Sequence, residues 1–146
     1  MNKKALMNIT DAIILVMLGV FLVSFVYASM SELEDKVNTR NTKAQMGEIG
    51  EYVVKGITET YLSGKNIDAL HVKIVKELQI PGEINGYLYK IKLTKEYVEV
   101  YSPKLDYSIR SYLNIDEDII AGKDIWAGEI KVVYLKEDET ERIELI

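Results

Sequence analysis

Few residues of this 146-residue chain could do chemistry, and they are scattered. Asp116, Glu117 and Asp118 run together and Asp124 follows shortly, a set of carboxylates of the kind a hard cation takes as oxygen ligands. An EF-hand loop needs glycine at its sharp turn and a closing glutamate, and neither stands in place here. The run therefore reads as a solvated turn, and no metal is expected. His71 is the only histidine. It lies beside Val72 in an alternating stretch with no nucleophile motif for company, and reads as a surface strand residue. The sequence holds no Gly-x-Ser-x-Gly, no phosphate loop, no dinucleotide fingerprint and no His-Glu-x-x-His. Cysteine is absent, which excludes a structural disulfide, a thiolate metal site and a cysteine nucleophile. No catalytic residue, cofactor or small-molecule substrate is expected, and the chain does not read as an enzyme.

Tyrosine is the one unusual resource, ten against two phenylalanines. Tyr87, Tyr89, Tyr97, Tyr101, Tyr107, Tyr112 and Tyr134 all lie in the second half. A broad ring with a polar tip suits protein or glycan contacts, and equally suits cross-strand pairing on a half-buried sheet, which is the preferred reading. Trp126, between Ile125 and Ala127-Gly128, fits either a core or an exposed loop.

The element that places the chain is residues 12–28, which carry no charge, no proline and one aliphatic hydroxyl residue, Ser24. Extended to Ile9 and Met30, the run covers about 20 residues, enough for a hydrocarbon core of about 30 Å. A helix apolar all round belongs in lipid or in a large core, and a chain this short cannot build that core. Ala12, Leu15, Leu18, Phe21, Leu22, Phe25 and Ala28 are taken as span residues. Lys3 and Lys4 precede the run, and Glu32, Glu34 and Asp35 follow it, so the positive-inside rule puts the N-terminus in the cytoplasm and the remainder outside the cell. A net charge of −5 argues against nucleic acid as a partner. The Lys/Glu-rich, cysteine-free composition leans toward a thermophile.

Three processing states fit this start: a secretory signal cut near Tyr27-Ala28-Ser29, an uncleaved anchor, and a prepilin-type leader. Lys3-Lys4-Ala5 followed by Leu6 and the apolar run resembles the class III signal peptide of archaeal type IV pilins and archaellins. The resemblance implies a cut between Ala5 and Leu6 on the cytoplasmic side. It departs from the pattern in its short leader and in Asn8, Thr10 and Asp11, which delay the apolar run. Asp11 reads first as an interfacial residue, because charge near the headgroups is tolerated, and second as a pilin-assembly carboxylate.

Residues 31–62 are expected to continue the helix. Leu33, Val37 and Ala44 fall on one side, then Met46, Ile49, Val53 and Ile57 recur at spacings of three and four. Gly47, Gly50 and Gly56 each weaken a helix interior by up to about 1 kcal/mol, so close packing against another element is expected there. Gly64 reads as the helix stop. Residues 38–42, Asn-Thr-Arg-Asn-Thr, are the weakest helix and a candidate joint.

From Ile67 the period becomes two. Strands are expected at 71–76, 87–93, 97–101, 107–113, 129–135 and 142–146, with breaks at Pro81-Gly82, Thr94-Lys95-Glu96, Ser102-Pro103, Asp116-Glu117-Asp118 and 136–139. Six or seven short strands read as an antiparallel sheet or sandwich with the helix of 44–62 as its cover. The fold class is therefore α+β: a long N-terminal transmembrane and amphipathic helix, then a small antiparallel β-sheet or β-sandwich head. The parts run 1–30, 31–64 and 65–146. Leu78-x-Ile80-Pro81-x-x-Ile84-x-Gly86-Tyr87-x-Tyr89-x-Ile91, followed by a hairpin, resembles the head region of small archaeal pilin-like membrane proteins.

The expected function is structural: a pilin-like or minor-pilin subunit of an archaeal surface filament or its assembly machinery, partnered by the membrane and by like subunits. The alternative is a single-pass anchored adaptor whose β head binds another surface protein. Gly19 allows one close helix approach but has no small partner four residues away.

Overall fold

The computed structural model describes residues 3–115, 117–138 and 140–146, with the backbone alone for 3–10 and 117. Among the described residues one helix, α1 (Lys3–Lys65), precedes nine strands and a short 3-10 turn, η1 (Glu117–Ile119). The chain divides into two compact units, Met1–Arg40 and Asn41–Ile146. The boundary falls inside the weak stretch 38–42, through which α1 continues as helix.

The second unit is an α+β head of antiparallel sheets. β1 (His71–Gln79), β8 (Glu129–Glu137) and β9 (Thr140–Leu145) form one sheet in the order β1-β8-β9. β4 (Lys90–Leu93), β5 (Tyr97–Ser102), β6 (Tyr107–Tyr112) and β7 (Lys123–Trp126) form a second in the order β6-β5-β4-β7. β2 (Glu83–Ile84) and β3 (Tyr87–Leu88) make a separate hairpin. The stretch 87–93, expected as one strand, is two strands separated at Tyr89. Asn85 and Gly86, with φ of 50° and 77°, form the two-residue turn that pairs Ile84 with Tyr87. Tyr89 is fully buried, and its hydroxyl donates to the Pro81 carbonyl. The expected turn at 94–96 is present. The Thr94 hydroxyl donates to the Tyr97 carbonyl at 2.7 Å and accepts from the Tyr97 amide at 3.1 Å.

Met46, Ile49, Val53, Ile57 and Tyr61 of α1 are buried together with Leu78, Ile91, Leu93, Val98, Val100, Ile130, Val132, Ile143 and Leu145 from both sheets. The glycines set how closely the helix approaches. A Cβ on Gly50 would stand 2.6 Å from the Ser111 hydroxyl in β6, and one on Gly56 would stand 2.7 Å from Leu78 in β1. The helix thus lies on the four-stranded sheet near Gly50 and on the three-stranded sheet near Gly56. Gly64 is still helical, one residue before the end, and a Cβ there would stand 2.1 Å from the buried Tyr134 ring. Its function in the fold is room for that ring rather than a helix stop. Thr42 is fully buried and accepts from the Asn85 side-chain amide at 2.9 Å, tying the helix to the β2-β3 hairpin. Leu33, Val37 and Ala44 do not join this core; Leu33 and Val37 are 60% and 54% exposed.

Two outcomes follow from this packing. Gly64→Ala should destabilise the chain by about 1–3 kcal/mol, because the ring it meets is enclosed and cannot swing away. Gly82→Ala, where a Cβ would meet nothing within 4 Å, should be neutral or gain up to about 1 kcal/mol; thermal melting of the two variants in parallel measures both. Alkaline unfolding is the second. Burial pushes the Tyr89 and Tyr134 hydroxyls up to about 12, with Glu141 adding to the effect at Tyr134. The unfolded chain loses these protons near pH 10 and the folded chain holds them longer, so stability is present below about pH 10 and falls as pH rises toward 12. Phenolate absorbance should show these tyrosines ionising late and together with unfolding; titration of every tyrosine near pH 10 with the fold intact would contradict it.

Candidate functional site

Period-two alternation sends Ile91, Leu93, Val98 and Val100 inward, and places the intervening residues of the four-stranded sheet on its outer side. The registers set these outer residues into three rows. Trp126, Lys90, Tyr101 and Ser108 lie side by side across β7, β4, β5 and β6. Asp124, Lys92, Glu99 and Arg110 form the next row. Tyr97 and Tyr112 pair in the third. Tyr97 and Tyr101 are four residues apart on one strand, about 13 Å at strand rise, so the aromatic rows flank the charged one.

The contacts within this face are specific. Arg110 Nε donates to Glu99 Oε1 at 3.1 Å. That bond, with the nearby Tyr97 and Glu99, holds the guanidinium above its ordinary value. The Arg110 guanidinium also covers the Tyr97 ring at 4.7 Å, and Lys90 Nζ stands 4.5 Å over the Trp126 ring. Tyr97 and Tyr112 meet edge to face, with centroids 6.0 Å apart and planes at 70°. Tyr112 remains 71% exposed and Trp126 54% exposed. Lys92 and Asp124 are exposed as well, and neither makes an ion pair among the described residues.

The tyrosines thus divide by position. Tyr89 and Tyr134 are core, Tyr107 lies on the inner side with Lys43 4.5 Å over its ring, and Tyr97, Tyr101 and Tyr112 are on the outer face. The first row was hidden in the sequence because β7 was not expected as a strand. Lys-Asp-Ile-Trp between Gly122 and Gly128 does alternate, but four residues are too few for a periodic signal.

Comparison with models of known protein families, with curated proteins and with solved structures finds no match.

The first unit presents a different surface. One described helix is long and apolar enough to cross a membrane, and it lies near the N-terminus. The span residues Ala12, Leu15, Leu18, Phe21, Leu22, Phe25 and Ala28 are all exposed, with Leu15 at 73%. The side chains of Lys3, Lys4, Ala5 and Leu6, the leader residues, lie outside the described part.

The remaining candidates carry no assembled chemistry. Asp116 and the Glu117 side chain lie outside the described part, and Asp118 is within 3.7 Å of Lys95. Among the described residues no group of three or more His, Asp or Glu is placed to hold a metal ion. His71 is an exposed strand residue in register with Glu137. A groove of about 560 Å³ runs between α1 and β1, lined by Glu59, Leu62, Ser63, Ile74, Val75 and Lys76. Lys76 donates to Glu59 there and lowers the Glu59 carboxyl, while Ser63 gives its hydroxyl proton to the Glu59 carbonyl at 2.7 Å. The Thr60 hydroxyl is likewise committed to the backbone, donating to the Gly56 carbonyl at 2.7 Å.

The Tyr97–Tyr112 contact has a measurable size. A double-mutant cycle with Tyr97→Ala and Tyr112→Ala, read by chemical denaturation, should return a coupling of about 0.5–1.5 kcal/mol. A coupling near zero would mean that the rings are neighbours without being partners.

Proposed function

We propose that this chain is a single-pass membrane protein with a cytoplasmic N-terminus and an extracellular head, and that it serves as a pilin-like structural subunit of an archaeal surface filament or its assembly machinery. The observation that carries this reading is the exposed apolar side of α1 beyond the span. Lipid suffices to cover 12–28. Met30, Leu33 and Val37 recur at spacings of three and four, are 66%, 60% and 54% exposed, and lie among Glu32, Glu34, Asp35, Lys36 and Arg40. A stripe of that kind in a charged helix is the seam that another helix covers. A second copy, leaving the same membrane in the same direction, offers the matching stripe.

The reading needs no catalysis, and the internally satisfied hydroxyls of the groove beside β1 suit a structural role. The Lys4-Ala5 leader resemblance supports removal of residues 1–5 before assembly. The anchored adaptor remains the second reading, favoured by the exposed Trp126 and Tyr112 on the outer sheet face.

Two readouts on native material separate them. Intact mass of protein from sheared cell-surface material should lack residues 1–5. The absence of cysteine allows single-cysteine crosslinking without background. Leu33→Cys and Val37→Cys should give oxidative crosslinks between copies, and Asp35→Cys, on the far side of the helix, should not. An intact N-terminus found in membranes alone, with no crosslink at 33 or 37, would sink the filament reading in favour of the adaptor.

A further inference from the structure

The outer face of the four-stranded sheet has a composition that filament assembly through α1 does not use. Its middle row alternates acceptor, donor, acceptor, donor across four strands: Asp124, Lys92, Glu99, Arg110. Aromatic rings stand on both sides of that row, Trp126 and Tyr101 on one and Tyr97 and Tyr112 on the other. Opposite charges facing across strands stabilise a sheet without any ligand. That explains the Glu99–Arg110 pair, which is in contact. It does not explain Lys92 and Asp124, which are in register, exposed and unpaired with each other. Nor does it explain two rings left 54% and 71% open to solvent at opposite corners.

The chemistry of the face narrows the occupant. A phosphate or acidic peptide wants donors alone, and here two carboxylates interrupt the cations. An apolar helix wants no charges, and here a full charged row crosses the centre. Nucleic acid is disfavoured by the net charge of −5. A sugar hydroxyl both donates and accepts, so it finds a partner at each position of an alternating row. A pyranose ring also has a face of C–H groups that packs on an aromatic ring. We propose that this face binds a neutral polysaccharide chain, with Trp126, Tyr101 and Tyr112 as stacking platforms and Lys92, Asp124 and the Glu99–Arg110 pair as hydroxyl partners. The site goes beyond the structural role, since it uses neither the apolar helix nor leader removal.

Trp126 is the chain's single tryptophan, so its emission reports from within the face. The test uses the full chain in a detergent without a sugar headgroup, titrated with gluco-, manno- and N-acetylglucosamine oligosaccharides of four to six rings. At least one series should change Trp126 emission saturably. The binding should persist in about 1 M salt, where the Debye length is about 3 Å. Lys92→Ala, at an exposed position, should weaken it about tenfold with the melting temperature unchanged. Tyr112→Ala should weaken it about tenfold too, with a loss of stability no larger than that of Tyr97→Ala, whose ring is not one of the platforms. Glu77→Gln, on the other sheet, should leave it unaltered. No saturable change with any of the three series overturns the proposal. So does binding confined to an acidic polysaccharide and abolished by salt, which would make the face a charge site. An emission change that tracks protein concentration without sugar would assign the face to a second copy instead.

Discussion

Both sheets of the head pack against one helical stripe, Met46, Ile49, Val53, Ile57 and Tyr61. Without it each sheet would show water a whole apolar side. Burial of each large side chain contributes about 1.5–3 kcal/mol, so the stripe and the sheet residues beneath it dominate the stability of the second unit. The approach must be close for that burial to be complete, and glycine is what permits it. At Gly50 and Gly56 the sheets press on the helix backbone, and at Gly64 the Tyr134 ring fills the space of the missing side chain. A glycine that weakens a helix in isolation is in this way offset by contact in the folded chain.

That packing also decides what the head offers to its surroundings. With inner sides consumed by the helix, alternation leaves Lys90, Lys92, Glu99, Arg110 and three tyrosines on the outer side of the four-stranded sheet. β7 then adds Asp124 and Trp126 at one edge. The result is a mixed aromatic and charged surface, unlike the uncharged, largely apolar surface of residues 12–28. The two surfaces differ in chemistry: one is long enough and apolar enough to match a hydrocarbon core, and the other sets polar and aromatic groups side by side.

Much of this was legible in particular residues. The spacing of Met46, Ile49, Val53 and Ile57 named the buried side of the helix, and the alternation in 97–101 and 129–135 named strands that the structure extends to Ser102 and Glu137. Leu33 and Val37 fall on one side by the same spacing, yet their side chains meet solvent. Periodicity reports that a side is apolar, not what covers it. At 87–93 the alternation runs straight through Tyr89, so the break into two strands was invisible, although Asn85-Gly86 held the stronger hairpin signal.

From composition and order alone came the membrane-length apolar run, the exclusion of thiol chemistry, the helix-then-strands sequence and the alternation of the long strands. These are local properties, fixed by side-chain type and by periods of 3.6 and 2. Which strands become neighbours was settled only in three dimensions. β1 joins β8 across the whole intervening chain, and β7 returns to flank β4 rather than following β6. Such pairings depend on loop closure and on how a shared core fills, and neither is written in any short window of sequence. The row that unites Trp126, Lys90 and Tyr101 exists for that reason alone: three residues from separate segments, aligned by hydrogen-bond register once the sheet has formed.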